Sequence, residues 1–271
     1  MPPTPPLRVG LAGLGAVGRE VARRLEEGIA GLTLAAVAVR NIEKARHNLN
    51  RLGDGIAVVA TNELAACCDV VMECLPAALF REVAVPAVEL GRIFMPLSVG
   101  QLLEHSDLVE RARATGARIL VPTGALIGLD AVRAAAEGEI RSVRMVTRKP
   151  PSGFEGVSYL REHNISLENL KAPLKIFDGT AREGARGFPA NVNVAVALSL
   201  AGIGPDRTRL EIWADPAIVR NMHTIEVDAD SARFTMTIEN VPSENPRTSK
   251  ITALSAVAAL RGLVTELKVG T

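Results

Sequence analysis

Two features of this 271-residue chain could do chemistry: a glycine-rich turn near its start and a histidine late in its sequence. The turn reads Gly13-Leu14-Gly15-Ala16-Val17-Gly18. In a chain with 23 glycines a G-x-G-x-x-G string means little by itself, and its context supplies the weight. It follows the apolar run Leu7 to Ala12 and opens the periodic segment Val17 to Leu25, which reads as strand, tight turn and helix. In that setting Gly13 permits the turn, Gly15 lets backbone approach a pyrophosphate, and Gly18 allows close packing of helix on strand. The unpaired N–H groups at the helix start, around Ala16 and Val17, then face the phosphates. Some twenty residues on, at the end of the next apolar run, an NAD-type site usually places an acid for the ribose 2′-hydroxyl. This chain has Arg40 there, followed by Asn41. A guanidinium can pair with a 2′-phosphate or stack on adenine, and a solvated arginine at a strand end is an equally good reading, so NAD and NADP both stay open.

Of the four histidines, His47 and His105 sit in charged helical surroundings and His163 in the polar stretch Arg161 to Asn164, so all three read as surface residues. His223 differs, because it lies between two expected strands in the second half of the chain. A lone histidine is more often structural than catalytic, yet an imidazole titrating near neutrality suits proton transfer. Cys67, Cys68 and Cys74 fall close together without neighbouring histidines, which favours reduced, buried thiols over a metal site.

The elements that must hold these residues change character along the chain. Over the first ~125 residues short apolar runs at Leu32–Val39, Ile56–Ala60, Val70–Cys74, Ile93–Val99 and Ile119–Pro122 alternate with helical patterns at Leu64–Cys68, Phe80–Leu90 and Leu102–Thr115. That alternation predicts a doubly wound parallel sheet of Rossmann type. Beyond it, a helix at Leu129–Glu137, a strand at Ser142–Thr147 and a helix around Val192–Leu200 precede runs at Arg209–Ala214, Thr224–Val227 and Arg233–Glu239, which lack intervening helices. Those runs predict a second α+β domain with a mixed or antiparallel sheet. Thr248 or Ser249 can cap a closing helix, Lys250 to Leu263. The expected organisation is a dinucleotide-binding domain, 1–125, with a C-terminal helix segment, 247–271, packing back on it, and a catalytic and dimerisation domain, 126–246.

Charge is nearly balanced, 31 Lys and Arg against 30 Asp and Glu, which gives no reason to expect nucleic acid or an anionic membrane as partner. The longest apolar stretch, Val192 to Ile203, is too short to span a bilayer, and the proline-rich start does not read as a signal peptide, so a cytoplasmic protein is expected.

The sequence resembles the L-aspartate dehydrogenases nearly end to end. The likeness runs through Val121–Asp130, Thr147–Pro151, Phe188–Ala195, Leu200–Gly204, Ala214–Pro216 with Arg220–His223, and Asn245–Ser249. The resemblance implies a reversible reaction in which L-aspartate, water and NAD or NADP give oxaloacetate, ammonium and the reduced cofactor through iminoaspartate, feeding pyridine-nucleotide biosynthesis. An exposed strand edge in the second domain makes a homodimer the expected state. The resemblance also makes His223 the acid/base, and Ala125 with Asn191 or Asn193 cofactor contacts. Two substrate carboxylates need cationic or N–H donors, for which Lys149, Arg148, Asn221 and the turn carrying Thr248 and Ser249 are candidates. Thr123 stands where the family has serine, and Glu73-Cys74-Leu75-Pro76 where it has small residues, a change that could reshape the nicotinamide wall. Two other readings are a related two-domain reductase, such as the dihydrodipicolinate reductases, whose His-His pair is missing here, and a non-catalytic dinucleotide sensor, which has no need of His223.

Arg40→Asp is expected to weaken NADP binding relative to NAD, measured by titration of both cofactors. Unchanged NADP affinity would make Arg40 a surface residue.

Overall fold

The computed structural model describes residues 5–39, 55–189, 192–244 and 248–270. The chain forms two compact units, 1–122 with 252–268, and 123–251 with 269–271.

The first unit is built on a six-stranded parallel sheet in the order β3-β2-β1-β4-β5-β6. Its strands are β1 (Leu7–Ala12), β2 (Leu32–Ala38), β3 (Ala57–Val59), β4 (Val70–Glu73), β5 (Ile93–Pro96) and β6 (Arg118–Ile119). Val9, Leu11, Val70, Val71 and Met72 have no exposed surface, as expected where helices cover both faces of a parallel sheet. Helices α1 (Ala16–Glu26), α2 (Leu64–Cys67), α3 (Phe80–Glu89), α4 (Gln101–Glu104) and α5 (Asp107–Thr115) follow the strands. The helical pattern at Leu102–Thr115 is thus two helices, broken at His105-Ser106, and the Ile119–Pro122 run supplies only the end of a two-residue strand. Strand order reverses between β1 and β4, and an open α/β sheet places its ligand crevice beyond the carboxyl ends of the strands flanking such a reversal. Gly13 follows β1 there, and Cys74 follows β4. Cys68 is buried beside Gly10, where an added Cβ would come within 2.5 Å of its sulfur.

The second unit contains α6 (Leu129–Ala135), β7 (Ile140–Lys149), α7 (Ser158–Glu162), β8 (Leu174–Thr180), α8 (Ala181–Gly187), α9 (Asn193–Ala201), β9 (Thr208–Ala214), β10 (Asn221–Ala229) and β11 (Arg233–Asn240). Its five strands lie in the order β11-β10-β7-β9-β8, with β7 and β9 parallel and the other pairs antiparallel, a mixed sheet. One face carries the core, in which Val143, Met145, Leu210, Ile212, Ile225 and Val227 pack with Phe188 and Leu198. The other face carries ion pairs such as Arg144 with Glu211 (2.7 Å) and Glu226 (2.9 Å). The helix α10 (Lys250–Arg261) closes the described secondary structure, and its Ala256, Val257 and Leu260 sit in the core of the first unit. Among the described residues no helix is long and apolar enough to cross a membrane.

Candidate active site

The glycine turn is held by backbone. The Gly13 N–H donates to the Ala38 carbonyl (2.9 Å), and the Arg19 N–H donates to Gly15 (3.0 Å) as the first turn of α1. Gly13 has φ +96°, and a Cβ there would lie 2.8 Å from the Cys74 carbonyl oxygen. At Gly18 a Cβ would come within 2.1 Å of the Gly13 carbonyl oxygen, so only glycine lets α1 start so close to β1. Gly15 is the opposite case, since a Cβ there meets nothing within 4 Å. The start of α1 has no side-chain cap and no acid in its first turn, which leaves the N–H groups of Ala16, Val17 and Gly18 for an anion. Open space at Gly15 beside uncapped N–H groups fits the pyrophosphate of a dinucleotide.

Near the turn, Glu73 is buried at the end of β4 and accepts from the N–H of Leu75 (2.8 Å), the N–H of Ser98 (3.0 Å) and the Ser98 hydroxyl (3.1 Å). This carboxylate ties the segment after β4 to the one after β5, while burial pushes its pKa up. Burial also raises the Cys74 thiol well above its usual value and Cys68 to about 12, so neither is a thiolate near neutral pH. Arg40 lies outside the described residues.

In the second unit, alternation carries a row of polar side chains onto the core face. On β7, Val143 and Met145 are followed two residues apart by Thr147 and Lys149. On β10, Val227 and Ile225 are followed by His223 and Asn221, and β11 runs through Phe234, Met236 and Ile238 to Asn240. The register pairs His223 with Thr147 and Ile238, and Asn221 with Asn240. Relative exposure is only 2% for Asn240, 3% for Thr147 and His223, 4% for Lys149 and 6% for Asn221. The core face of the sheet is therefore apolar along most of its length and polar at one end.

Within that row His223 Nδ1 hydrogen-bonds the Thr147 hydroxyl (3.1 Å), which fixes the ring plane. Burial, then the nearby Lys149 cation, lower the His223 pKa to about 3, in place of the near-neutral value expected from sequence. Burial alone lowers Lys149 to about 8, and its ammonium lies 6.0 Å from the Phe154 ring centroid. The row thus pairs a neutral imidazole with an amine that is largely protonated at neutral pH.

Ala125 belongs to this second unit, where the Asn240 amide nitrogen donates to its carbonyl (3.0 Å). Gly128, at φ +70°, is pressed against Met236, so the 123–128 segment is held onto β11 at two points. Asn193 is the first residue of α9, whose Val194 is the nearest side chain to Gly124, whereas Asn191 lies outside the described residues. Thr248 and Ser249 form the return of the turn after β11. Ser243 N–H donates to the Thr248 carbonyl (2.9 Å), Ser249 bridges Pro242, and residues 245–247 between them are not described. The sequence reading overlooked Asn240 and Thr147 as site residues. The signal for Asn240 was present, because one further step along Phe234, Met236 and Ile238 lands on it.

A glycine turn at the start of a Rossmann sheet and a buried histidine and lysine in a second unit fit a nicotinamide-dependent dehydrogenase. The family model described as the NAD binding domain of homoserine dehydrogenase matches residues 13–122, and that described as the C-terminal part of aspartate dehydrogenase matches residues 130–263. L-aspartate dehydrogenase of Bradyrhizobium diazoefficiens is 56% identical over 98% of this chain and 94% of its own. L-aspartate dehydrogenase 3 of Bordetella bronchiseptica is 52% identical over 98% of each chain. The crystal structure of aspartate dehydrogenase from Thermotoga maritima shares the fold, with a TM-score of 0.77 at 21% identity over 97% of this chain and 99% of that one. The chain belongs to the L-aspartate dehydrogenase family.

Gly15→Ala and Gly18→Ala are expected to separate fold from binding. Gly18→Ala should lower the melting temperature by several degrees, whereas Gly15→Ala should leave it within about a degree and weaken cofactor binding at least tenfold. Calorimetry and cofactor fluorescence titration check both, and a Gly15→Ala variant that binds normally would place the pyrophosphate elsewhere.

Proposed function

We propose that this chain oxidises L-aspartate to iminoaspartate, which water converts to oxaloacetate and ammonium, and that it also runs the reverse reductive amination. The observation that carries the proposal is the burial of His223 and Lys149 at one polar sheet end in a member of this family. Gly13, Gly15, Ala16, Val17 and Gly18 would hold the pyrophosphate, with Arg40 toward the adenosine ribose and Ala125 with Asn191 or Asn193 toward the nicotinamide end. The cofactor, NAD or NADP, supplies a hydride acceptor for the substrate Cα.

The protein's own groups handle charge and protons. Lys149, protonated at neutral pH, pairs with one substrate carboxylate, and Asn221 donates an N–H beside it. The Thr248 and Ser249 turn serves the second carboxylate. His223 is neutral in the free protein and is poised to accept a proton from the substrate ammonium and, once that proton has passed to solvent, a second from the water that attacks the imine. Two carboxylates brought beside it counter the Lys149 cation and raise the basicity of the ring as the substrate arrives. Thr147 keeps the ring oriented through both transfers. Supply of iminoaspartate or oxaloacetate to pyridine-nucleotide biosynthesis and a homodimeric state complete the proposal, the latter supported by β11, an edge strand of the mixed sheet.

The test is L-aspartate-dependent reduction of NAD and NADP by the purified protein, beside His223→Ala. Turnover that falls at least a hundredfold in the variant, with the fold intact, is the expected result. Absence of turnover with L-aspartate, or a variant as active as the parent, would overturn the proposal.

A further inference from the structure

Asn240 has one bond too few. Its amide nitrogen donates to the Ala125 carbonyl, which fixes the orientation of the amide, since the flipped group would set two oxygens against each other. The other end, Oδ1, is then a fully buried acceptor with no hydrogen-bond partner among the described residues. Buried amide oxygens are nearly always paired, so an orphan of this kind calls for a donor that the described residues do not supply.

The position of Asn240 says which donor. It pairs with Asn221 across β10, and one further strand over stands β7, which ends at Lys149. Adjacent strands lie about 4.8 Å apart, so the roots of Asn240 and Lys149 are separated by roughly 10 Å, with the Asn221 side chain rooted between them. Lys149 and the Asn221 amide can donate to carboxylates, and His223 must keep a ring nitrogen for the proton in transit. An amino acid also brings N–H groups, and these need an uncharged acceptor that survives the change from ammonium to amine to imine. Asn240 Oδ1 meets that need.

We infer that Asn240 is a substrate-binding residue, its Oδ1 accepting an N–H from the α-amino group of the amino-acid substrate while its Nδ2 holds Ala125 in place. The inference rests on the L-aspartate reading above and adds the group that distinguishes an amino acid from a plain dicarboxylate.

The experiment compares ligands that differ only in the amine. Parent and Asn240→Leu are measured for the KM of L-aspartate, for competitive inhibition by succinate, and for NADH binding by fluorescence. The expected result is a KM for L-aspartate raised at least tenfold, with the succinate inhibition constant and NADH affinity within twofold of the parent. Equal weakening of L-aspartate and succinate would reduce Asn240 to a prop for Ala125, and a selective loss of NADH binding would make it a cofactor contact; either overturns the inference. Where Asn240→Leu fails to fold, Asn240→Asp decides, because it keeps an acceptor oxygen but loses the amide donor. Its preference for L-aspartate over succinate should equal or exceed the parent's, and a tenfold lower preference would overturn the inference. A parent that does not turn over L-aspartate at all fails the functional proposal instead, and is distinguished by that control.

Discussion

Moving an ammonium or an imidazolium out of water is costly, and the second unit nevertheless encloses a lysine, a histidine, two asparagines and a threonine at the end of an apolar sheet face. Much of the chemistry of the site follows from that dehydration. It brings Lys149 down to about 8, still protonated for the most part at neutral pH, and it brings His223 down to about 3, unprotonated. In low dielectric these values also respond strongly to any charge that arrives, because a nearby carboxylate acts with little screening. Under the proposed reading, a bound dicarboxylate brings two such charges beside Lys149 and His223 and makes the histidine a better base. The unmade bond at Asn240 Oδ1 belongs to the same economy, since leaving a buried acceptor unpaired costs about 1–3 kcal/mol until a donor arrives.

The first unit works by other means. Its turn has no side chain to offer at Gly13, Gly15 or Gly18, and what it presents is backbone N–H and space. Close packing of α1 on β1 fixes the direction of those N–H groups, and the Gly13 N–H bond to Ala38 ties the turn to the neighbouring strand. Glu73 is part of this frame. Its carboxylate is taken up by Leu75 and Ser98, so it braces the ends of β4 and β5.

Both sheets were legible in the sequence because each has a clean period. Fully apolar runs gave the parallel strands, and alternation gave β9, β10 and β11. β8 and α8 were not seen, and the reasons are local. The strand carries a register irregularity between Lys175 and Phe177 that breaks the period of two, and α8 contains Gly184 and Gly187, with only its capping box of Thr180 and Glu183 as a helix signal. Among the candidate site residues, the glycine turn is proposed from spacing, and His223 and Ala125 from family likeness. The depression of His223 was not readable, because it depends first on how deeply this end of the sheet is buried and then on Lys149 of β7 lying near the ring, and a sequence shows neither depth nor register.

The proposed chemistry requires that burial hold His223 neutral and that a bound dicarboxylate restore its basicity. NMR titration of the His223 ring tests it directly, run between pH 8 and 5 on the free protein and again with saturating succinate. A base whose pKa is lowered to about 3 takes up no proton in that window, so the free protein should show no titration of this ring, while the succinate complex should show its pKa moved upward. A ring that titrates near 6.5 in the free protein, or one that succinate leaves unmoved, would contradict the account.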